Sequence, residues 1–116
     1  MTIQRFNTGK RLSEAVVHGD TVYLAGLVPD DGSKDIGGQT EEVLAKIERA
    51  LRQAGSEKSK LISAQIFLPS MADFAGMNAV WEKWIAPGQA PARATVEAKL
   101  ANPAYKVEIM CIAAVD

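Results

Sequence analysis

Thr40-Glu41-Glu42-Val43-Leu44-Ala45-Lys46-Ile47-Glu48-Arg49-Ala50-Leu51-Arg52-Gln53-Ala54-Gly55 is the stretch whose reading decides the fold class. Counting from Val43, the residues Val43, Leu44, Ile47, Ala50, Leu51 and Ala54 recur at helical spacing, and together they make one apolar face of a 3.6-residue period. Thr40-Glu41-Glu42 supplies the expected cap and early acidic charge. Arg49 and Arg52 lie toward the negative end of the helix dipole, and Gly55 is a natural stop.

Strand signals flank this helix. Before it, Thr21-Val22-Tyr23-Leu24-Ala25-Gly26-Leu27-Val28 is a short apolar run, and His18-Gly19-Asp20-Thr21 reads as a hairpin turn joining it to Ala15-Val16-Val17. Between strand and helix, Pro29 to Gly38 is dense in turn formers and reads as a loop that includes Gly37-Gly38. After the helix, Leu61-Ile62-Ser63-Ala64-Gln65-Ile66-Phe67-Leu68 places Ser63 and Gln65 opposite an expected apolar face of Ile62, Ala64, Ile66 and Leu68. A second helix is predicted with Ser70 as its cap and Asp73 as the capping-box acid. Its stripe of Phe74, Met77, Trp81 and Trp84 is read as core packing, and Pro87-Gly88 ends the pattern. Arg93-Ala94-Thr95-Val96-Glu97-Ala98 alternates polar and apolar, and a turn at Ala101-Asn102-Pro103 leads to a long strand from Tyr105 to Val115.

The predicted order is β-β-β-α-β-α-β-β, an α+β layer sandwich with two helices on one face of a mixed sheet. No repeat, linker or low-complexity tract divides the 116 residues, so residues 1–116 are read as one domain. Helices on one face leave the other, carrying Tyr23, Ala25 and Phe67, in need of cover, and copies of the chain would supply it.

Composition narrows the chemistry. The balance of 13 Lys+Arg against 14 Asp+Glu argues against a dedicated nucleic-acid binder. With one cysteine, Cys111, and one histidine, His18, the chain has no intrachain disulfide and no Cys/His zinc set of its own. There is no apolar signal core at the N-terminus and no run long enough to span a membrane, so the expectation is a soluble cytoplasmic protein without membrane partners. Phosphate loops, dinucleotide fingerprints, nucleophile elbows and metalloprotease motifs are absent. His18 reads as an exposed turn residue and Cys111 as a small buried hydrophobe. Any catalysis must then come from arginine, lysine, carboxylates, hydroxyls or backbone groups, and the expectation is a site with no metal and no cofactor.

Pro91-Ala92-Arg93-Ala94-Thr95-Val96-Glu97 is the unusual stretch. Arg93 follows a proline-bearing loop directly and is held on a stiff strand. It is either a salt-bridge partner of Glu97 along one strand face or an anchor for a ligand carboxylate, whose two oxygens match the guanidinium fork. Glu108 interrupts the apolar run Tyr105-Lys106-Val107-Glu108-Ile109-Met110, and either faces solvent or stands in a cleft.

With these residues in view, the chain resembles the RidA/YjgF family of reactive-intermediate (enamine/imine) deaminases, once labelled L-PSP endoribonucleases, and within it the short YoaB-like branch. The resemblance rests on Pro91-Ala92-Arg93-Ala94-Thr95-Val96 with Lys106-Val107-Glu108-Ile109, supported by Val22-Tyr23-Leu24-Ala25-Gly26 with Pro29 and by Asp73-Phe74-Ala75-Gly76-Met77-Asn78. It implies a chorismate-mutase-like fold assembled as a homotrimer, with clefts between subunits. It also implies that Arg93 pairs with the substrate carboxylate, that Glu108 positions or activates the attacking water, and that Gly26 lines the cleft. Thr95 stands where many members place a cysteine near the ligand, and Asn78 matches a supporting asparagine. Leu12, beside Arg11 and Ser13, stands where the best-studied branch has a tyrosine, a departure that bears on rate and substrate preference.

The implied activity is hydrolysis of 2-imino acids of the 2-aminoacrylate type, such as 2-iminopropanoate and 2-iminobutanoate, to 2-keto acids and ammonia. The alternative is a non-catalytic protein of the same fold that binds 2-keto acids or plays a regulatory part.

Overall fold

In the computed structural model, which describes residues 1–116, the elements follow the expected order. Strands β1 (Ile3–Thr8), β2 (Ser13–His18) and β3 (Thr21–Leu24) precede helix α1 (Ile36–Gln53). Then come β4 (Leu61–Leu68), α2 (Phe74–Trp84), β5 (Ala92–Glu97) and β6 (Glu108–Ala114), with short 3-10 turns ahead of β4 and α2. The six strands form one mixed sheet in the order β1-β2-β3-β6-β4-β5. Only β4 and β5 run parallel, because α2 carries the chain back across the sheet between them. The turn after β2 is the predicted hairpin, closed by the His18–Thr21 pair with Gly19 at φ +64°.

One face of the sheet and the inner faces of the two helices enclose a single core. Val43, Leu44, Ile47, Ala50 and Leu51 of α1 meet Ala64, Ile66 and Leu68 of β4 and Ile109, Cys111 and Ala113 of β6 there. Met77 and Trp81 close it from α2 and Trp84 packs against it, so three residues of the stripe pack as read, whereas Phe74 is exposed. The opposite face has no such cover. Tyr23 is exposed, and Phe67, Met110 and Ile112 are only half-buried. His18 is exposed, Cys111 is buried, and no helix is long and apolar enough to cross a membrane.

Three local readings need correction. Helix α1 begins at Ile36, four residues before Thr40, and takes in Gly37 and Gly38 as its first turn. Its cap is Asp35, whose side chain accepts the Gly38 N–H at 2.8 Å. Thr40 is fully buried and donates its hydroxyl to the Ile36 carbonyl, and Gln39 is buried beside it. The Thr40 bond within the helix and the tertiary hydrogen bonds of Gln39 to Ala104 and Lys106 offset the low helix propensity of the glycines. The C-terminus is as predicted: Gly55 at φ +88° donates to Arg52 and Ser56 donates to Leu51, the paired closure of a Schellman motif.

At the second helix, Ser70 caps the Met71–Asp73 turn, with α2 starting only at Phe74, and Asp73 makes no side-chain capping bond. Ile62, expected on the apolar face of β4, is about half exposed. The cause is a bulge: pairing with β6 steps from Leu61–Ala113 to Ser63–Ile112, which turns Ile62 out of the alternation.

Candidate functional site

Strand β5 sits at the edge of the sheet, and its register decides where Arg93 points. Arg93 pairs with Ala64 and Thr95 with Ile66, both buried under the helices, so Arg93 and Thr95 share the helix-covered face. The Arg93 guanidinium carbon lies 5.4 Å from the centre of the Trp81 ring and 5.9 Å from that of Phe74, both on α2. Arg93 makes no ion pair; the five salt bridges of the chain all lie elsewhere. The reading of Arg93 as a partner of Glu97 is therefore set aside. Residues four apart along a strand are roughly 13 Å apart, beyond the reach of a direct pair. Glu97 instead accepts the Met71 N–H at 3.2 Å. The Thr95 hydroxyl is buried and has no hydrogen-bond partner at all.

Glu108 belongs to the other face. It pairs with Phe67, three residues along β4 from the Ala64 that opposes Arg93, so the two side chains leave the sheet in opposite directions. Glu108 is half-buried rather than facing open solvent. Its carboxylate lies directly over Gly26, where a β-carbon would come within 2.2 Å of Oε2. Leu27, the next residue, exchanges backbone hydrogen bonds with Ile109 at 2.9 and 3.1 Å, which fixes Gly26 against this part of β6.

The structure thus brings Glu108 together with Gly26 and Arg93 together with Thr95, and keeps the two pairs on opposite faces of the sheet. No principal surface hollow of the single chain is lined by Arg93 or Glu108. Leu12 is exposed in the β1–β2 turn, where it borders a shallow hollow with Asn7, Gly9, Lys10 and Arg11.

Two positions carry more than their sequence context suggested. Gln39, which lies between the predicted loop and the predicted cap, is fully buried and satisfied on both sides of its amide. Its nitrogen donates to the carbonyls of Lys34 at 3.1 Å and Ala104 at 3.0 Å, and its oxygen accepts the Lys106 N–H at 2.7 Å. It ties the loop before α1 to the segment that leads into Glu108. Phe74 and Trp81 fitted a core stripe, and helical spacing carried no signal that they also face Arg93. Cys111 takes no part: burial pushes its thiol up to about 12, leaving it neutral and unreactive near neutral pH. No group of three or more His, Cys, Asp or Glu gathers anywhere that could hold a metal ion.

With this geometry, the sequence family described as "Endoribonuclease L-PSP" matches residues 2–115. The chain belongs to the RidA/YjgF family. Within it, the chain is 46% identical over 115 residues to "RutC family protein YoaB" of Escherichia coli K12, covering 99% of this chain and all of that one. It superimposes with a TM-score of 0.97, at 45% identity, on NMB1025 of Neisseria meningitidis, a structure described as a member of the YjgF protein family. That match covers 100% of this chain and 97% of the other. A more distant relative, "Reactive Intermediate Deaminase A, chloroplastic" of Arabidopsis thaliana, is 33% identical over 107 residues, 87% of this chain and 57% of that protein. The YoaB-like placement and the expected fold both stand.

Proposed function

We propose that the protein hydrolyses small 2-imino acids to 2-keto acids and ammonia, at sites formed where two copies of the chain meet in a homotrimer. The observation that carries this reading is a set of polar groups left without partners. Arg93 has no counter-ion, the Thr95 hydroxyl is buried and unbonded, and Glu108 enters neither an ion pair nor a side-chain hydrogen bond. Glu42 shows the contrast: its carboxylate takes the backbone N–H groups of Asp30 and Asp31 and the Lys34 ammonium. Unpaired, partly desolvated groups of this kind are poised for a ligand.

Arg93 offers a planar fork to the substrate carboxylate, and Thr95 stands two residues along the same strand face to bond the ligand. Glu108 of a second copy, lying over that copy's own Gly26, holds the attacking water. Water adds to the C=N carbon with Glu108 accepting its proton, giving a carbinolamine. The amine leaves as ammonia after proton return, and the 2-keto acid remains. Hydrolysis of such imines is easy enough that orientation and proton transfer suffice, without metal or cofactor. The relative named a reactive-intermediate deaminase supports this chemistry, and the uncovered sheet face supports assembly.

The test is imine hydrolysis coupled to an amino-acid oxidase, with 2-iminopropanoate and 2-iminobutanoate as substrates. Arg93→Ala is expected to abolish acceleration, and Glu108→Ala to reduce it about 100-fold. Binding of 2-keto acids by the wild type with no acceleration of ammonia release would replace the deaminase with a metabolite-binding role.

A further inference from the structure

We propose that Phe74 and Trp81 are positioning residues for Arg93, an aromatic clamp that orders the guanidinium while leaving its hydrogen-bond fork free; the proposal rests on Arg93 being the carboxylate anchor. The two rings are seven residues apart on α2, two helical turns along one face, so both can flank a single side chain arriving from β5. Their ring centres lie 5.9 and 5.4 Å from the guanidinium carbon, within the range of a cation–π attraction.

The clamp is itself rigid. Trp81 is almost fully buried and packs on Trp84 at 5.6 Å. The Trp84 indole N–H donates to Glu48, and the Lys58 ammonium lies 5.4 Å from the Trp84 ring centre. Phe74, more exposed, forms the outer wall.

An arginine at an edge strand needs something to limit its rotamers. The usual device, a neighbouring carboxylate, would occupy the N–H groups and neutralise the charge a ligand must meet. An aromatic face attracts the cation without accepting its in-plane N–H bonds. It also excludes water from one side, which strengthens a carboxylate pair on the other. The arrangement therefore favours planar carboxylates over neutral ligands.

The experiment uses the full chain in its native assembly, with 2-oxobutanoate binding measured by calorimetry alongside steady-state imine hydrolysis. Phe74→Leu removes the outer ring at a partly exposed position, Phe74→Tyr restores it, and Trp81→Phe weakens the inner one. The expected result for Phe74→Leu is a rise of about three- to ten-fold in both KM and the 2-oxobutanoate Kd. Its kcat should stay within about two-fold, and Phe74→Tyr should return KM and Kd to wild-type values. A purely structural role would lower the melting temperature and kcat while leaving KM in place, and would overturn the proposal. Arg93→Ala separates the two levels. If it loses 2-oxobutanoate binding while Phe74→Leu and Trp81→Phe keep wild-type affinity, the clamp is refuted and the anchor stands. If Arg93→Ala retains both binding and turnover, the anchor fails and the clamp falls with it.

Discussion

The carboxylate of Glu108 occupies the space that a side chain on Gly26 would need: a methyl group there would stand 2.2 Å from Oε2 and 3.0 Å from the carboxyl carbon. Gly26 is absent from the positive-φ glycines, so its backbone does not demand glycine; the neighbour does. The clashing atoms are the far end of a flexible side chain, which can swing away at little cost to folding. Gly26→Ala should therefore cut imine hydrolysis nearly as far as Glu108→Ala, while thermal stability changes by less than about 1 kcal/mol. A Gly26→Ala protein with wild-type turnover would show that the placement of Glu108 is irrelevant to the reaction.

Arg93 and Glu108 leave opposite faces of one sheet, so a site that uses both needs two subunits. Light scattering should report a trimer. Arg93→Ala and Glu108→Gln, each inactive alone, should regain activity when unfolded and refolded together. Random 1:1 assembly leaves about a quarter of the inter-subunit sites with both groups intact. Recovery at the level of the separate mutants would place the two residues in the same subunit's site or in none.

Gln39 should behave as a structural hub with a functional consequence. Gln39→Leu removes bonds to Lys34, Ala104 and Lys106 together and leaves part-buried backbone groups unpaired. The expected loss is about 2 to 3 kcal/mol in denaturant unfolding. Hydrogen exchange should rise at both the Pro29–Asp35 loop and the segment preceding Glu108. Exchange confined to one of the two would mean that Gln39 does not couple them.

Cys111 gives a pH signature. Its thiol is raised from 9.0 to about 12 by burial, so between those values the folded chain holds a proton that the unfolded chain has released. Unfolding free energy should consequently fall as pH rises above about 9, by up to about 1.4 kcal/mol per pH unit from this group. Cys111→Ala should flatten that part of the profile, measured as the difference between the two proteins. At neutral pH the native thiol should resist aromatic disulfide reagents and react only on unfolding; fast native labelling would contradict its burial.

The element order was legible because each element carries its own period. The stripe from Val43 to Ala54 can only be a helix face, and Gly55 can only end it as it does. Boundaries were less legible where the long-range bonds of Gln39, a competing cap or a shift of strand register override the simplest local pattern. Thr40 looks like a cap until Asp35 is seen to cap Gly38, and Ile62 fits the alternation of β4 until the bulge at Ser63 turns it outward.

The sequence by itself determined which charges stand out, since Arg93 and Glu108 are set into stiff, otherwise alternating or apolar strands. What only the tertiary structure decided is how they are disposed. Strand register places Arg93 on the helix-covered face beside Phe74 and Trp81, and puts Glu108 on the opposite face over Gly26. Side-chain direction along a strand follows from local alternation, but the face each strand turns to the helices depends on pairing between segments tens of residues apart. No local pattern in β5 or β6 encodes that pairing.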